Sequence, residues 1–540
     1  MSKLLSWNAL AVLALAFPFA CLAQTPPVIN ALINNYSGVL PGLPGYGIAP
    51  GSIFVIYGTN MSDNVPLQLQ SSVAPGLPTT LNHASISVTV NGTTVTPAIY
   101  YAIPTQVAAV LPSTTPVGSG TITLTYNEQA SAPAPIQVTA SAFGLATLNQ
   151  AGTGGILATD AEYHVITPTA SAAPGQTIVL WGSGLGADTN NNDRTYPNQQ
   201  DNLNDATVYI GGLQANVAFA GRSAFPGVDQ INVTIPSSLS GGCGISVAVV
   251  AHGKVSNFGT VPVNPGNGVC QDSLYGINGT ELTQTGSQAT VKSGSVSLLQ
   301  GTQPSMAQLS KASGDPHAQT FSTAYYASAY FSSVTGAAYI GGSSFLSLGN
   351  CIVTLSGGGG GGGTTNGLDA GAIALSGGGI STQLMESLPL LGDYYDQLSN
   401  PLMGGSAYTF TGSGGKDVGP FSVTVNFPVP LTWSNESSIS TVTEANGQPI
   451  TWTGGATGTY VAIGGSSSTA DGSASGTFFC LVPVSAEQFT IPSYVLETLP
   501  PGSGTLGIYN TTNPVAFTAT GLDHGTASAS VFSSENVTYQ

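Results

Sequence analysis

A chain of 540 residues with 71 glycines, 35 prolines and only 6% charged residues is too long for one core and too poor in helix formers to be mainly helical. Seven Lys and Arg against 24 Asp and Glu give a formal charge of −17, which excludes nucleic acid as a partner, because gripping a phosphate backbone takes clustered cations. Ser, Thr, Asn, Gln and Gly must cover most of the surface.

The chain opens with one basic residue, Lys3, an apolar stretch from Ala9 to Ala20 and small residues up to Ala23, the pattern of an export signal over 1–23. That stretch is too short to span a bilayer. Pro18 and Phe19 ahead of Cys21 make a poor lipoprotein cleavage box, so cleavage is expected after Ala23. No later run is apolar enough to anchor the chain. The expectation is an exported product without a membrane span, extracellular, at the cell surface or in the periplasm.

Next comes a repeat. "APGSIFVIYGTN" at 49–60 returns as "APGQTIVLWGSG" at 173–184, and Gly51/Gly175, Gly58/Gly182, Gln106/Gln230 and Pro112/Pro236 are each 124 residues apart. A constant offset means duplicated domains. In each copy a Gly turn leads into an apolar strand, a Gly permits a bend, and period-two strands such as "ASISVTVNG" and "ATVYIGG" end on hairpin turns. Roughly seven short strands in about 110 residues describe an immunoglobulin-like sandwich. Two such domains are expected in tandem, at 28–138 and 139–266.

The order of strand, Gly-x-x-Leu, hairpin, "TQV" or "DQI" with an apolar run to Pro, and a closing "GKVSNFGTVPV" resembles the IPT/TIG-type immunoglobulin-like domain. More narrowly, "APGQTIVLWGSGLG", "VDQINVTIP" and "HGKVSNFGTVPV" resemble the Solibacter-type C-terminal domain family of exported soil-bacterial proteins. The first copy departs at Met61, where Leu is usual, and at "QASAPAPIQV". What the resemblance implies is an extracellular module for adhesion, spacing or presentation, with no activity attached.

From 272 to 540 no marker of the repeat recurs. Seven glycines at 357–363 read as a flexible loop. "GPFSVTVNFPVPLTW", "QPITWTGG", "GTYVAIGGSS", "GTFFCLVPV" and "TLGIYNTTNPVAFTATG" are β-like, with a short helix expected near Ser305 to Ser313 and a helix-like insert at "SYVLETLP". This region also resembles the segment beyond the paired modules in some members of that family. The fold class expected is all-β: two tandem sandwiches, then one or two further ones.

Four cysteines remain after export, and none lies in a CxxC pair, so a zinc site is not expected. Three pairings are open. Cys243 with Cys270 and Cys351 with Cys480 is the favoured set, the first closing a loop worth roughly 3 to 4 kcal/mol.

No catalytic constellation emerges. His83, His164, His252, His317 and His524 are scattered and fit neither HExxH nor a GxSxG elbow, and "GSGGKD" at 412–417 lacks phosphate-loop spacing. In the insertion at 188–205, Asp188, Asn190 and Asn192 mimic the first three positions of a calcium loop, but Asp193 stands where Gly is required and Gln199 where a bidentate Glu belongs. A solvated loop is the default, and calcium on Asp188, Asn190, Asn192 and Asp193 the alternative. No other cofactor is expected. Trp433 and Trp452, with Tyr325, Tyr326 and Tyr330, offer flat rings for stacking on sugars, although Trp in strands is more often core. Gln106 and Gln230, at one register in both repeats, are expected to bond a neighbouring loop. The leading expectation is a non-catalytic exported protein for adhesion or matrix interaction with surface proteins or polysaccharide. A carbohydrate-binding protein is the first alternative. A hydrolase using paired carboxylates among Asp369, Asp393, Asp396, Asp417 and Glu436 is the second.

Overall fold

The computed structural model describes residues 25–203, 206–288, 290–302, 323–335, 346–357, 364–388 and 392–540. The expected export signal with Cys21, His317, the helix expected near Ser305 to Ser313 and residues 358–363 of the glycine run lie outside them. The described chain is almost entirely strand, in two tandem immunoglobulin-like sandwiches followed by a large β region.

In the first sandwich, module 1, one sheet runs in the order Val28–Asn34, Ile53–Thr59, Gln106–Val110, Ala98–Ile103. A second sheet, built on Ala134–Val138, Gly118–Tyr126 and Ala84–Val90, faces it. The alternation of "ASISVTV" sends Ile86 and Val88 inward to meet Phe54, Ile56, Val107 and Leu124. Asn91 and Gly92 both have positive φ, as a tight two-residue hairpin of that twist demands.

Module 2 keeps the register but not the break between layers. Its strand Leu213–Arg222 pairs with Asp229–Thr234 on one side and with Thr207–Ile210 on the other, so one strand passes between layers. In module 1 the matching stretch is cut into Thr93–Val95 and Ala98–Ile103, because Pro97 cannot donate to the ladder. Both modules carry a bulge at one position, between Ile99 and Tyr101 and between Val217 and Phe219.

Beyond module 2, twelve strands form one path, from Cys351–Gly357 at one end to Phe421–Asn426 at the other. This long sheet serves two cores, and the three-stranded sheet of Leu431–Trp433, Gln448–Gly454 and Gln488–Ile491 packs on one of them. The 16-residue strand His524–Tyr539 puts Ala527 and Ala529 in one core and Val537 and Tyr539 in the other. It pairs in parallel with Thr290–Thr302 over Ser293 to Gly301. The cysteines pair as Cys243–Cys270 and Cys351–Cys480; the latter two stand directly opposite on antiparallel strands, with Cα atoms 4.0 Å apart.

Two helices accompany the sheets among the described residues. Ser493–Leu496 falls in the helix-like insert. Gly279–Gly286 was not expected, although its capping box was readable in "NGTE": the Asn278 side chain accepts from the N–H groups of Thr280 and Glu281, while Glu281 returns a bond to the Asn278 N–H. No helix among the described residues is long and apolar enough to cross a membrane. Tyr494 stacks on Tyr209 of module 2 with centroids 4.0 Å apart, and Ala248, Val255 and Phe258 of module 2 share a core with the C-terminal region.

Candidate functional site

Trp433 and Trp452, considered for sugar stacking against the commoner core role of strand tryptophans, are core. Trp433 is 4% and Trp452 1% exposed, and their indole N–H groups donate to Asn435 Oδ1 and to the Val484 carbonyl, each at 2.9 Å. They pair across neighbouring strands and pack inside, where no ligand reaches a ring face. Tyr326 stacks on Tyr395, and Tyr330 is exposed.

Of the four residues considered for calcium, Asp188, Asn192 and Asp193 turn side-chain oxygens to protein partners. Asp193 accepts from the N–H and the hydroxyl of Ser113 in module 1, both at 2.7 Å. Asp188 accepts from Asn190 N–H and the Asn191 amide and lies 3.9 Å from Arg222, a fixed cation. Asn192 caps the Arg194 N–H, and Arg194 Nε in turn donates to the Leu77 carbonyl of module 1 at 2.7 Å. This geometry makes the 188–203 segment a clamp between modules. Burial raises the Asp193 carboxyl, with the Ser113 hydrogen bonds opposing.

Of the five carboxylates considered for hydrolysis, Asp369 and Asp417 meet, but they close turns. Asp417 Oδ2 accepts the Asp369 N–H at 3.0 Å, and Asp369 accepts from Gly371 N–H at 2.9 Å and Lys416 N–H at 3.3 Å. Asp396 takes the Thr382 hydroxyl at 2.7 Å, and Glu436 takes that of Ser533.

The rings that face solvent together lie in module 2. A cleft of about 510 Å³ is lined by Trp181, Tyr163, Phe225, Tyr36, Gln200 and Gln230, with Thr159 and smaller apolar side chains; no lining residue is charged. Its volume falls within the roughly 300–1,000 Å³ of small-ligand clefts. Alternation along Thr177–Ser183 explains its floor: Ile178 and Leu180 enter the core, so Trp181 points outward. The Trp181 indole N–H is satisfied by Thr159 Oγ1 at 3.1 Å, which leaves the ring face for a partner. Tyr163, 67% exposed, stands with its ring 6.1 Å from that of Trp181. Its backbone is held at φ +68 in a loop where Asp160 Oδ1 accepts from the N–H groups of Glu162 and His164. Asp160, Glu162 and His164 bring ligand-type atoms within 4.8 Å of one another there, on the exposed side of the same loop.

Phe225, 47% exposed, closes the other wall and meets Tyr196 edge-on at 5.7 Å. Phe225 sits in a hairpin with eight residues between the paired Gly221 and Gln230, where module 1 has two between Ile103 and Gln106. The extra residues also reach module 1: Tyr100 donates its hydroxyl proton to the Pro226 carbonyl at 2.7 Å. Beneath them Asp229 is fully buried, accepting from Arg222 Nη1 at 2.5 Å and from the Gly184 and Leu185 N–H groups at 2.7 and 2.8 Å. Asn34 adds two donations into module 2, to the carbonyls of Ala142 and Ser183. Tyr36, also from module 1, lines the cleft, and burial, followed by the charge of Asp229, raises its phenol.

Gln230 lies directly across from Trp181, as Gln106 lies across from Tyr57. Neither amide bonds the neighbouring loop expected from sequence; both bond side chains on strands: Gln106 Nε2 donates to Tyr101 OH at 2.6 Å and Gln230 Nε2 to Asn232 Oδ1 at 3.3 Å. Trp181 was missed because "QTIVLWG" reads as apolar on both faces; the signal that finds it is the offset, since Tyr57 and Trp181 are also 124 residues apart.

No family model matches the sequence. A search of curated proteins found no match either. Among solved structures, the chain is similar to the Bacteroides ovatus mixed-linkage glucan utilization locus protein SGBP-B, solved with a mixed-linkage heptasaccharide, at 15% identity and TM-score 0.19 over 40% of this chain and 43% of that one. The chain therefore spans less than half the length of that protein. It is also similar to SGBP-B of a complex xyloglucan utilization locus in Bacteroides uniformis (10% identity, TM-score 0.18, 74% of this chain and 97% of that one). Domains 5–6 of the S-layer protein SbsC match at 18% identity and TM-score 0.16, over 44% of this chain and 98% of that one. Scores of this size assign no function.

Proposed function

We propose that this is a non-catalytic exported protein, of the IPT/TIG-type tandem class, that attaches to neutral polysaccharide outside the cell through the Trp181 cleft. The observation that carries the reading is an uncharged cleft with Trp181, Tyr163 and Phe225 presented around two glutamine amides, in a chain of net charge −17. Aromatic faces pack on the apolar faces of sugar rings, while amides and hydroxyls exchange hydrogen bonds with sugar hydroxyls. The acidic protein repels anionic polymers, which sets the selectivity. No cofactor enters this reading.

Affinity electrophoresis in gels carrying hydroxyethylcellulose, glucomannan, arabinoxylan or xyloglucan, against polygalacturonate, tests it. Retardation in at least one neutral gel, absent from polygalacturonate and lost in Trp181→Ala, is the expected result. A Trp181→Ala variant retarded as strongly as the parent chain overturns it.

A further inference from the structure

The outward row whose Trp181 and Gln230 line the module 2 cleft exists twice. In module 1, Tyr57 of Ile53–Thr59 pairs with Gln106 of Gln106–Val110, and one strand further Tyr101 is the partner of Ala108. In module 2, Trp181 pairs with Gln230, and one strand further Phe219 is the partner of Asn232. The order across three neighbouring strands is aromatic, glutamine, aromatic in both. The bulge next to the third residue is shared as well, so the match is one of register and not of sequence offset alone.

The module 1 row is open to solvent. Tyr57 is 39% exposed, Tyr101 is partly exposed, and the Gln106 amide holds the Tyr101 hydroxyl at 2.6 Å. None of the three carries charge. What module 1 lacks is the walls: its hairpin has no counterpart of Phe225, and among the described residues no loop brings a ring over Tyr57 as the 160–164 loop brings Tyr163 over Trp181.

We propose that Tyr57, Gln106 and Tyr101 form a second, shallower platform for the same neutral polysaccharide, so that one chain grips a polymer at two places. The inference rests on the reading of the Trp181 cleft. A ring pair without walls gives weak contact by itself; joined through a rigid clamp to a stronger site, it adds by effective concentration, and a polymer long enough to reach both rows is favoured over a short fragment.

The test uses the full exported chain and the same neutral gels, together with hexasaccharides of the same backbones as competitors. Tyr57→Ala is expected to weaken retention on the polymer by on the order of tenfold, below the roughly 100- to 10,000-fold gains of well-matched linked sites because the platform is shallow, while leaving hexasaccharide affinity at the cleft within about twofold. Tyr57→Trp, which copies module 2, is expected to tighten polymer retention, and a gain cannot come from misfolding. If Tyr57→Ala and Tyr57→Trp both match the parent chain while Trp181→Ala loses binding, the second platform is refuted and the cleft stands. If Trp181→Ala is retained like the parent, the cleft reading falls and takes this inference with it.

Discussion

Modules 1 and 2 share strand register, a bulge and an outward aromatic–glutamine row, yet among the described residues only the module 2 row is walled by further rings into a cleft. The difference lies in the longer hairpin around Phe225, in the 160–164 loop that brings Tyr163 over Trp181, and in the 188–203 segment, which is no longer than its module 1 counterpart but differs in sequence. The hairpin and the 188–203 segment each do two things: they contribute Phe225 or Gln200 to the cleft, and they contact module 1 through Pro226 or Arg194. The shape of the site is thereby tied to the joint between modules.

The largest expected effect falls on the buried charge that only module 2 owns. Asp229→Ala strands the Arg222 guanidinium and two N–H groups and is expected to cost about 3–5 kcal/mol in chemical denaturation, whereas Thr105→Ala, at the matching exposed turn of module 1, should stay within about 0.5 kcal/mol. Equal costs would mean that the ion pair does not hold the 188–203 segment.

A second contrast uses glycines at one register. Gly51 has φ +75, and a Cβ there meets Arg222 Nη2 at 2.6 Å and Ser113 Oγ at 2.8 Å, while Gly175, φ +83, meets nothing within 4 Å. Gly51→Ala is expected to cost about 3 kcal/mol, strain plus a wedge in the joint, and Gly175→Ala about 1 kcal/mol from strain alone. Thermal melts of both variants measure the difference.

Tryptophans separate the modules from the C-terminal region. Trp452→Ala empties a core site and should cost about 3–5 kcal/mol with polysaccharide retention unchanged in whatever remains folded, while Trp181→Ala should change stability by less than about 1 kcal/mol and abolish retention. Retention that follows Trp452 instead would put the site back in the C-terminal half.

The smallest effect is one of pH, and it belongs to the C-terminal region. Burial, then the neighbouring charge of Glu497, pushes the Glu444 carboxyl up to about 7, and its Oε1 is buried without a hydrogen-bond partner among the described residues. A raised acid favours the fold while protonated, so its contribution is full below the ordinary value of 4.5 and fades as pH rises through about 7. Glu444→Gln is expected to stabilise the chain by about 1 kcal/mol at pH 8, discounted for partial exposure, and by less at pH 5. Melting temperatures at the two pH values check it, and an equal gain at both would remove the carboxyl's titration as the cause.

The tandem modules were legible because duplication leaves markers at a fixed spacing and because sandwiches alternate with period two. For Trp433 and Trp452 core and sugar stacking both stayed open for a related reason: a strand pattern places a ring on a face, and which face is covered depends on a second layer that the local sequence does not name. Trp181 was missed, since Val179 and Trp181 look as apolar as Ile178 and Leu180 until the core is known. The clamp was visible as a polar stretch but read as solvated, because its partners, Ser113 and Leu77, are far away in the chain. The C-terminal sheet was least legible; parallel pairing of Val296 with Ala527 spans a separation at which no local signal survives.

The strand shared by the two C-terminal cores also sets an order of manufacture. During synthesis, module 1 and then module 2 have all their strands in hand long before the chain is finished, and domains close as they become complete. Neither C-terminal core can close until residues 524–539 have been made. Over the second half of its synthesis this protein is a finished head trailing an open, Gly- and Ser-rich tail, and the tail stays open until the shared strand arrives.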